Sequence, residues 1–104
     1  MNRQDILAKI SRLKPRYERE GIALLGLFGS FARGDETPGS DVDILFACNS
    51  VGKQRYPDWS FYPFLERVRQ ELESELGRPV DLAEMDALNE TGRKHILPEV
   101  LYVP

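Results

Sequence analysis

Two aspartates, Asp41 and Asp43, are separated by a single residue at the start of an apolar run. Successive residues of a β-strand point to opposite faces, so a strand here directs both carboxylates to one face and directs Val42 and Ile44 to the other. Like charges held this close are unfavourable unless a cation lies between them, and carboxylate oxygen is a ligand that Mg²⁺ accepts. The pair therefore predicts a divalent metal site. The simpler alternative is a turn acid at Asp41 and a solvent-facing strand residue at Asp43.

A Gly-Ser pair, Gly29-Ser30, lies at the end of the preceding apolar run. Glycine permits close backbone approach, and the pair offers free N–H groups and a hydroxyl, which suits a triphosphate. Arg33 follows about one helical turn later and adds a charge-assisted donor to the same phosphates in one interpretation. In the other interpretation Arg33 pairs with Asp35 or Glu36 at the surface. Phosphate and metal chemistry are thus predicted side by side.

A third acid, Asp81, lies within the run Pro-Val-Asp-Leu at 79–82. Strand alternation directs Asp81 away from the core that receives Val80 and Leu82. In a site with two ions roughly 4 Å apart, a third carboxylate helps to hold the ion that activates an attacking hydroxyl, or accepts the proton of that hydroxyl. The alternative is a solvated charge on an edge strand, and Glu84 is the substitute candidate.

Apolar spacing predicts the elements that position these residues. Helices are predicted from Asn2 as N-cap to a kink or end at Pro15, over 61–76 with Ser60 or Asp58 as N-cap and Gly77 as C-cap, and over 86–97 before Pro98. Strands are predicted at 22–28, with Gly26 as a point of close approach, at 42–48, at 78–85 and, as a short edge strand, at 99–103. The segment after Ser30 is predicted to form at most one helical turn and then a loop. The segment 49–60 is predicted to be an exposed loop. Strands separated by helices predict an α/β (α+β) fold with a small mixed sheet flanked by helices.

Composition narrows the class of protein. The chain has 104 residues, so a single domain over 1–104 is expected. It has 14 basic and 17 acidic residues and a net charge of −3, so we do not expect it to bind a nucleic-acid backbone directly. The longest apolar stretch is far short of the roughly 20 residues that cross a bilayer, so we expect no membrane span and a cytoplasmic location. The single cysteine, Cys48, excludes an internal disulfide and is expected to be a buried apolar residue.

The other candidate residues have simpler interpretations. His95, the only histidine, is expected at the surface or at a helix end. Most of an aromatic cluster is expected to pack the helix over 61–76 onto the sheet, with Trp59 as the member that contacts a ligand or partner. The cluster consists of Tyr56, Trp59, Phe61, Tyr62 and Phe64. Val100 and Val103 fit either a partner interface or the core.

The runs GSFARG at 29–34 and SDVD at 40–43 carry a family resemblance. A hydrophobic residue, Gly-Ser, a spacer of about ten residues and then Asp-hydrophobic-Asp-hydrophobic resembles the signature of the DNA polymerase β-like nucleotidyltransferase superfamily. Within it, the chain is similar to the minimal nucleotidyltransferase (MNT) antitoxins that are paired with HEPN-domain toxins. The resemblance extends from about Ile22 to Asp81, and the segment 49–60 is its least typical part.

This resemblance implies a polymerase β-like fold in a single minimal domain. It implies ATP as nucleotide donor, with Gly29 and Ser30 at the triphosphate and Asp41, Asp43 and Asp81 binding Mg²⁺, with two ions expected. The expected reaction places AMP on a tyrosine of a HEPN ribonuclease toxin, as the antitoxin of a type VII-like pair that forms a hetero-oligomer. The alternatives are a nucleotidyltransferase subunit acting on a small molecule, and an antitoxin that binds its toxin without catalysis.

Overall fold

The computed structural model describes residues 1–104 as a four-stranded sheet with five α-helices. The helices are α1 (Arg3–Glu20), α2 (Gly29–Arg33), α3 (Ser50–Arg55), α4 (Phe61–Leu76) and α5 (Glu90–Ile96). The strands are β1 (Ile22–Phe28), β2 (Val42–Cys48), β3 (Val80–Glu84) and β4 (Leu101–Tyr102). Their order is β3-β2-β1-β4, with β1 antiparallel to β2 and β4, and β2 parallel to β3. The predicted fold class, a small mixed sheet flanked by helices, is confirmed.

Helix α1 begins at the predicted cap but does not stop at the predicted proline. The Asn2 side chain accepts from the Asp5 N–H at 2.9 Å, and Asp5 accepts from the Asn2 N–H at 3.2 Å, which forms a capping box. The helix continues through Pro15 to Glu20. Because Pro15 lies on the exposed side and Tyr17 beyond it is fully buried, the packing of this last turn outweighs the missing backbone hydrogen bond.

Strand β1 lies in the middle of the sheet and supplies part of the core through Ile22, Leu24 and Leu27. Its pairing with β2 is irregular between Leu24 and Gly26. At Gly26 the backbone of β4 passes so close that a Cβ atom would lie 2.4 Å from the Leu101 carbonyl oxygen. The predicted close approach at this glycine is therefore confirmed.

The prediction of a loop over 49–60 is wrong in its first half, which forms α3. The Asn49 side chain caps this helix by accepting from the Gly52 N–H at 3.0 Å, and it donates to the Glu18 carbonyl at 2.9 Å. Gly52 packs against Gly21, where a Cβ on Gly52 would lie 2.2 Å from the Gly21 oxygen. A glycine that suggested a loop thus provides a close contact between two backbones.

Helix α4 confirms its predicted bounds and its C-cap. Phe64, Val68, Leu72 and Leu76 form its buried stripe, and Gly77 ends it in the left-handed conformation at φ 68°. Ser60 occupies the N-cap position without a side-chain bond. Instead, Asp58 accepts from the Ser60 N–H at 3.0 Å. Ion pairs at the surface connect α4 to α1 through Arg67 and Glu20, and through Glu71 and Arg16.

The C-terminal region differs from its prediction in extent. The helix predicted over 86–97 begins only at Glu90, after an Asn89 cap, and a 3₁₀ turn occupies Met85–Ala87. A second 3₁₀ turn, Leu97–Glu99, follows at Pro98, and the predicted edge strand is reduced to β4. Val100 and Val103 are buried in the chain's own core. No helix has the combination of length and hydropathy that a membrane span requires.

Candidate active site

Strands β2 and β3 place two of the predicted acids side by side. Their parallel register pairs Asp43 with Asp81, while Val42 and Val80 pair one step earlier and enter the core. The two carboxylates therefore lie on the sheet face opposite the core beneath α1 and α4. Asp43 is half-buried, whereas Asp41 and Asp81 are exposed. The structure thus brings together the three carboxylates named from the sequence at one end of the parallel strand pair.

Asp43 carries an electrostatic penalty at its position. Burial, and after it the charges of Asp81 and Asp41, raise the pKa of Asp43 from 3.8 to about 6, against the smaller lowering effect of Arg33. Desolvation and like charges both disfavour the ionised form, so the folded protein holds this carboxylate against an electrostatic penalty. A cation placed among the three groups would remove that penalty.

The turn between β1 and α2 lies directly against Asp43. Gly29 has φ 74°, and a Cβ atom on it would fall 2.0 Å from the Asp43 Oδ2 atom. Only glycine meets both the conformation and the space, so this residue type is dictated by the aspartate beside it. Ser30 follows in α2, and the adjacent Phe31 is buried and anchors the turn in the core. The Gly-Ser pair and the carboxylates therefore belong to one site.

The Arg33 guanidinium lies beside this turn and contacts two acidic side chains. Its Nε atom donates to Asp35 at 3.2 Å, and its Nη1 atom donates to Glu99 at 3.3 Å. The expected surface pair with Asp35 is confirmed and the one with Glu36 does not form. These neighbours raise the pKa of Arg33, which keeps the guanidinium charged beside the turn.

The donor set fits a magnesium ion, although the side chains are not yet arranged around one. No group of three or more histidine, cysteine, aspartate or glutamate side chains lies close enough together to hold a metal ion. Asp41 and Asp81 are exposed and make no hydrogen bond within the protein, so their carboxylates can rotate toward Asp43. Oxygen ligands from three carboxylates, together with the raised pKa of Asp43, match the requirement of a hard divalent cation.

A cavity of about 380 Å³ opens beside Asp81. Its lining comes from β3 and α4, namely Tyr62, Leu65, Glu66, Arg69, Asp81 and Leu82. Asp43 therefore lies against the Gly29 turn, while Asp81 lines a cavity.

The family of the chain follows from comparison with known proteins. The family description "Nucleotidyltransferase domain" matches residues 10–101, which include every element of the site. The chain belongs to this nucleotidyltransferase family. It is 40% identical over 86 residues to protein adenylyltransferase MntA of Thermococcus cleftensis, an alignment that covers 83% of this chain and 79% of that protein.

Solved structures agree with the fold of this nucleotidyltransferase. A protein described provisionally as a minimal nucleotidyltransferase superposes with a TM-score of 0.74 at 26% identity, covering 97% of this chain and 95% of the other. A complex of a tri-AMPylated Shewanella oneidensis HEPN toxin with an MNT antitoxin matches with a TM-score of 0.58 and 20% identity, covering 98% and 71%. The resemblance to the minimal nucleotidyltransferases that the sequence motifs indicated is confirmed, and the enzyme class is nucleotidyltransferase.

Two residues of the nucleotidyltransferase site were not identified from the sequence. Glu99 accepts a hydrogen bond from the Gly29 N–H at 2.9 Å. Arg78 donates at 3.1 Å to the carbonyls of Pro38 and Ser40, and so holds the loop that leads into Asp41. Both residues are distant in sequence from the groups they contact, and no local pattern marks either of them.

Other named residues lie away from the nucleotidyltransferase site. Glu84 borders a separate cavity of about 360 Å³ together with Cys48 and Lys53, so it is not placed to substitute for Asp81. The expectation of a buried Cys48 is wrong, because this residue is only half-buried at the end of β2 and lines that cavity. His95 is exposed on α5, as expected, far from the carboxylates in the chain.

The aromatic cluster divides into a packed part and an exposed part. Phe64 is buried and Tyr56 stacks on it with ring centroids 4.3 Å apart, which confirms the packing role. Trp59 and Tyr62 are 83% and 63% exposed, with ring centroids 6.1 Å apart. Tyr62 borders both cavities, including the one beside Asp81. The exposed pair therefore lies next to the cavity beside Asp81.

Proposed function

We propose that this nucleotidyltransferase transfers AMP from ATP to a hydroxyl group of a partner protein, with residues 1–104 acting as a single domain. The register of β2 and β3 carries the proposal, because it sets Asp43 opposite Asp81 and next to the Gly29 turn. The kind of acceptor is inferred from the relative of 40% identity, which is named a protein adenylyltransferase.

In this proposal the nucleotide side is formed by the β1–α2 turn and Arg33. Gly29 permits close approach of the triphosphate to the backbone, Ser30 donates to it through its N–H and its hydroxyl, and Arg33 adds a charged donor. Asp41, Asp43 and Asp81 would hold Mg²⁺, with two ions expected from the family resemblance. When bound, Mg²⁺ neutralises phosphate charge and lowers the pKa of the attacking hydroxyl.

The reaction is a single displacement at the α-phosphorus of ATP. The acceptor oxygen forms a bond to this phosphorus, the bond to the oxygen bridging the α- and β-phosphates breaks, and pyrophosphate leaves. Asp81 faces the cavity on the acceptor side, where its carboxylate can take the proton of the attacking hydroxyl and pass it to solvent. Asp43 and Asp41 would hold Mg²⁺, whose charge would offset the repulsion between their carboxylates and the α-phosphate.

The partner in this proposal is a HEPN-domain toxin modified on a tyrosine, with this chain as its antitoxin in a hetero-oligomer. The MNT antitoxin of similar fold, which is bound to a tri-AMPylated HEPN toxin, motivates this choice. Trp59 and Tyr62 support it from this chain's own surface, because an exposed aromatic pair beside an active site is typical of a protein-binding region. A tyrosine side chain would enter through the cavity beside Asp81.

Mass spectrometry of the co-expressed partner, incubated with this protein, ATP and Mg²⁺, tests the proposal. We expect mass gains in units of AMP with the unmodified protein and none with Asp41→Asn/Asp43→Asn. The exposed acid Asp86, which lies outside the site, provides the control Asp86→Asn, which should retain transfer. Neutralisation of the toxin by all three proteins without any mass gain would instead establish an antitoxin that acts by binding. AMP transfer to small hydroxyl compounds alone would favour a small-molecule enzyme.

A further inference from the structure

We propose that Glu99 is a positioning residue for the nucleotide-binding turn, an inference that rests on the function proposed above. Its Oε1 atom accepts from the Gly29 N–H at 2.9 Å, and its Oε2 atom lies 3.3 Å from Arg33 Nη1. One carboxylate therefore contacts both the backbone and the charged side chain that are assigned to the triphosphate. Glu99 does not line the cavity beside Asp81.

The contact with Gly29 fixes the turn against Asp43. Gly29 is buried and has the left-handed φ of 74°, so its N–H has no helical or sheet partner and would be unsatisfied without Glu99. The Asp43 carboxylate limits any shift of Gly29 toward it, because it leaves no room even for a Cβ atom. Glu99 and Asp43 thus both restrict the turn and, with it, the position from which Ser30 presents its donors.

The contact with Arg33 orients its guanidinium. Asp35 binds the Nε atom and Glu99 binds the Nη1 atom, which leaves the Nη2 nitrogen without a hydrogen bond to the protein. Because two carboxylates bind different nitrogens of the guanidinium, they restrict its rotation. The remaining N–H groups are left to bind a third anion. A triphosphate on the Gly29 turn would be that anion.

The attachment of the C-terminal segment to the sheet determines the position of Glu99. Glu99 ends a 3₁₀ turn, and the residues that follow pair with β1 through Gly26 and Leu27. Val103 continues this attachment by donating to the Leu25 carbonyl at 2.9 Å. The glutamate side chain is only 23% exposed, so it is held by packing as well as by its hydrogen bonds. The C-terminal segment therefore carries a fixed carboxylate to the nucleotide side.

The test compares Glu99→Ala with Glu99→Gln, which keeps an oxygen that can accept from the Gly29 N–H. We expect Glu99→Ala to speed hydrogen exchange of the Gly29 amide and to raise the Kd for ATP, measured by calorimetry with Mg²⁺, roughly ten-fold. Glu99→Gln should restore the slow exchange and most of the affinity. In transfer assays, KM for ATP should rise in the alanine variant by more than kcat falls, as expected when ground-state binding is lost.

Glu90→Ala is the matched control, because Glu90 lies nearby in sequence and its side chain is 87% exposed. Circular dichroism establishes that each variant is folded. Unchanged ATP affinity in Glu99→Ala, with or without faster exchange at Gly29, would overturn the inference, and so would equal loss of affinity in the alanine and glutamine variants. Absence of ATP binding by the unmodified protein would instead overturn the proposed function itself.

Discussion

Asp43 differs from the two acids beside it because its carboxylate is half-buried while theirs are exposed. Its pKa of about 6 shows that the folded state favours the protonated form relative to an ordinary aspartate. Such a group stabilises the fold fully below its unfolded pKa of 3.8, and this stabilisation is lost as pH rises through about 6. At neutral pH the metal-free protein therefore carries an unfavourable charge at its site.

Asp43→Asn should consequently raise the free energy of unfolding at pH 7 in Mg²⁺-free buffer. The advantage of the variant should shrink as pH falls towards 4, because Asp43 of the unmodified protein then becomes protonated. Mg²⁺ should stabilise the unmodified protein at pH 7 and leave the variant nearly unaffected. Urea unfolding at pH 7 and at pH 4 measures these free energies of unfolding, with Asp86→Asn as control. A variant that is less stable than the unmodified protein at pH 7 would contradict the electrostatic account.

The placement of the predicted carboxylates could be derived from the sequence where a local pattern was present. Alternation in β2 was sufficient to place Asp41 and Asp43 on one face, and β3 repeats the pattern around Asp81. Glu99 could not be found in this way, because its contact with Gly29 depends on how β4 docks on β1. The functional role proposed for Asp81 comes from the family resemblance rather than from any spacing.

At the scale of elements, two glycines in left-handed conformations end or begin helices in very different surroundings. Gly77 ends α4 at φ 68°, and nothing lies within 4 Å of the position that a Cβ atom would take there. At Gly29, with φ 74°, the Asp43 carboxylate lies 2.0 Å from the corresponding position. At both positions, a residue with a side chain would therefore incur the conformational energy of a left-handed backbone. Only the β1–α2 turn adds a collision with a functional side chain.

Gly77→Ala and Gly29→Ala separate these two costs. We expect Gly77→Ala to lower the free energy of unfolding by about 1 kcal/mol and to leave transfer unchanged, since only backbone conformation is affected. Gly29→Ala should be more destabilising by about a further 1–3 kcal/mol, and should abolish transfer because the turn and Asp43 move apart. Urea unfolding and the AMP-transfer assay measure the two effects. Equal behaviour of the two variants would show that the turn does not depend on the Asp43 contact.

Element prediction succeeded where a periodic apolar pattern met an unambiguous cap. Strands β1 and β2 and helix α4 have such patterns, and their bounds match the expectation. Helix α3 was missed because it has no apolar stripe and contains Gly52, and its formation depends on the Asn49 cap and on packing against Gly21. Tertiary contacts of this kind leave no periodic signal in a sequence.

For the whole molecule, the proposed nucleotide side and the proposed acceptor side are built from different parts of the chain. The β1–α2 turn and Glu99 form the first, while β3 and α4 line the cavity of the second. Trp59 and Tyr62 extend the second side outward at the start of α4. Substitutions on one side should therefore leave binding on the other side intact.

Trp59→Ala/Tyr62→Ala should raise the concentration of partner needed for half-maximal AMP transfer by roughly ten-fold or more, as expected when exposed aromatic contacts are lost from an interface. The Kd for ATP should not change. Tyr102→Ala removes an aromatic side chain that is 59% exposed on β4 and provides the control. Titration of partner at saturating ATP measures the effect. A double variant that is modified as readily as the unmodified system would exclude this surface from partner binding.

The pairing of Asp43 with Asp81, and of Gly26 with Tyr102, joins residues that are far apart in the sequence. A chain that has formed only the β1–β2 hairpin lacks the third carboxylate, because a parallel strand needs its crossover before it can pair. Closing such long loops is slow compared with local folding. ATP binding is therefore expected to appear only in the last kinetic phase of refolding, which makes nucleotide a probe of the final folding step.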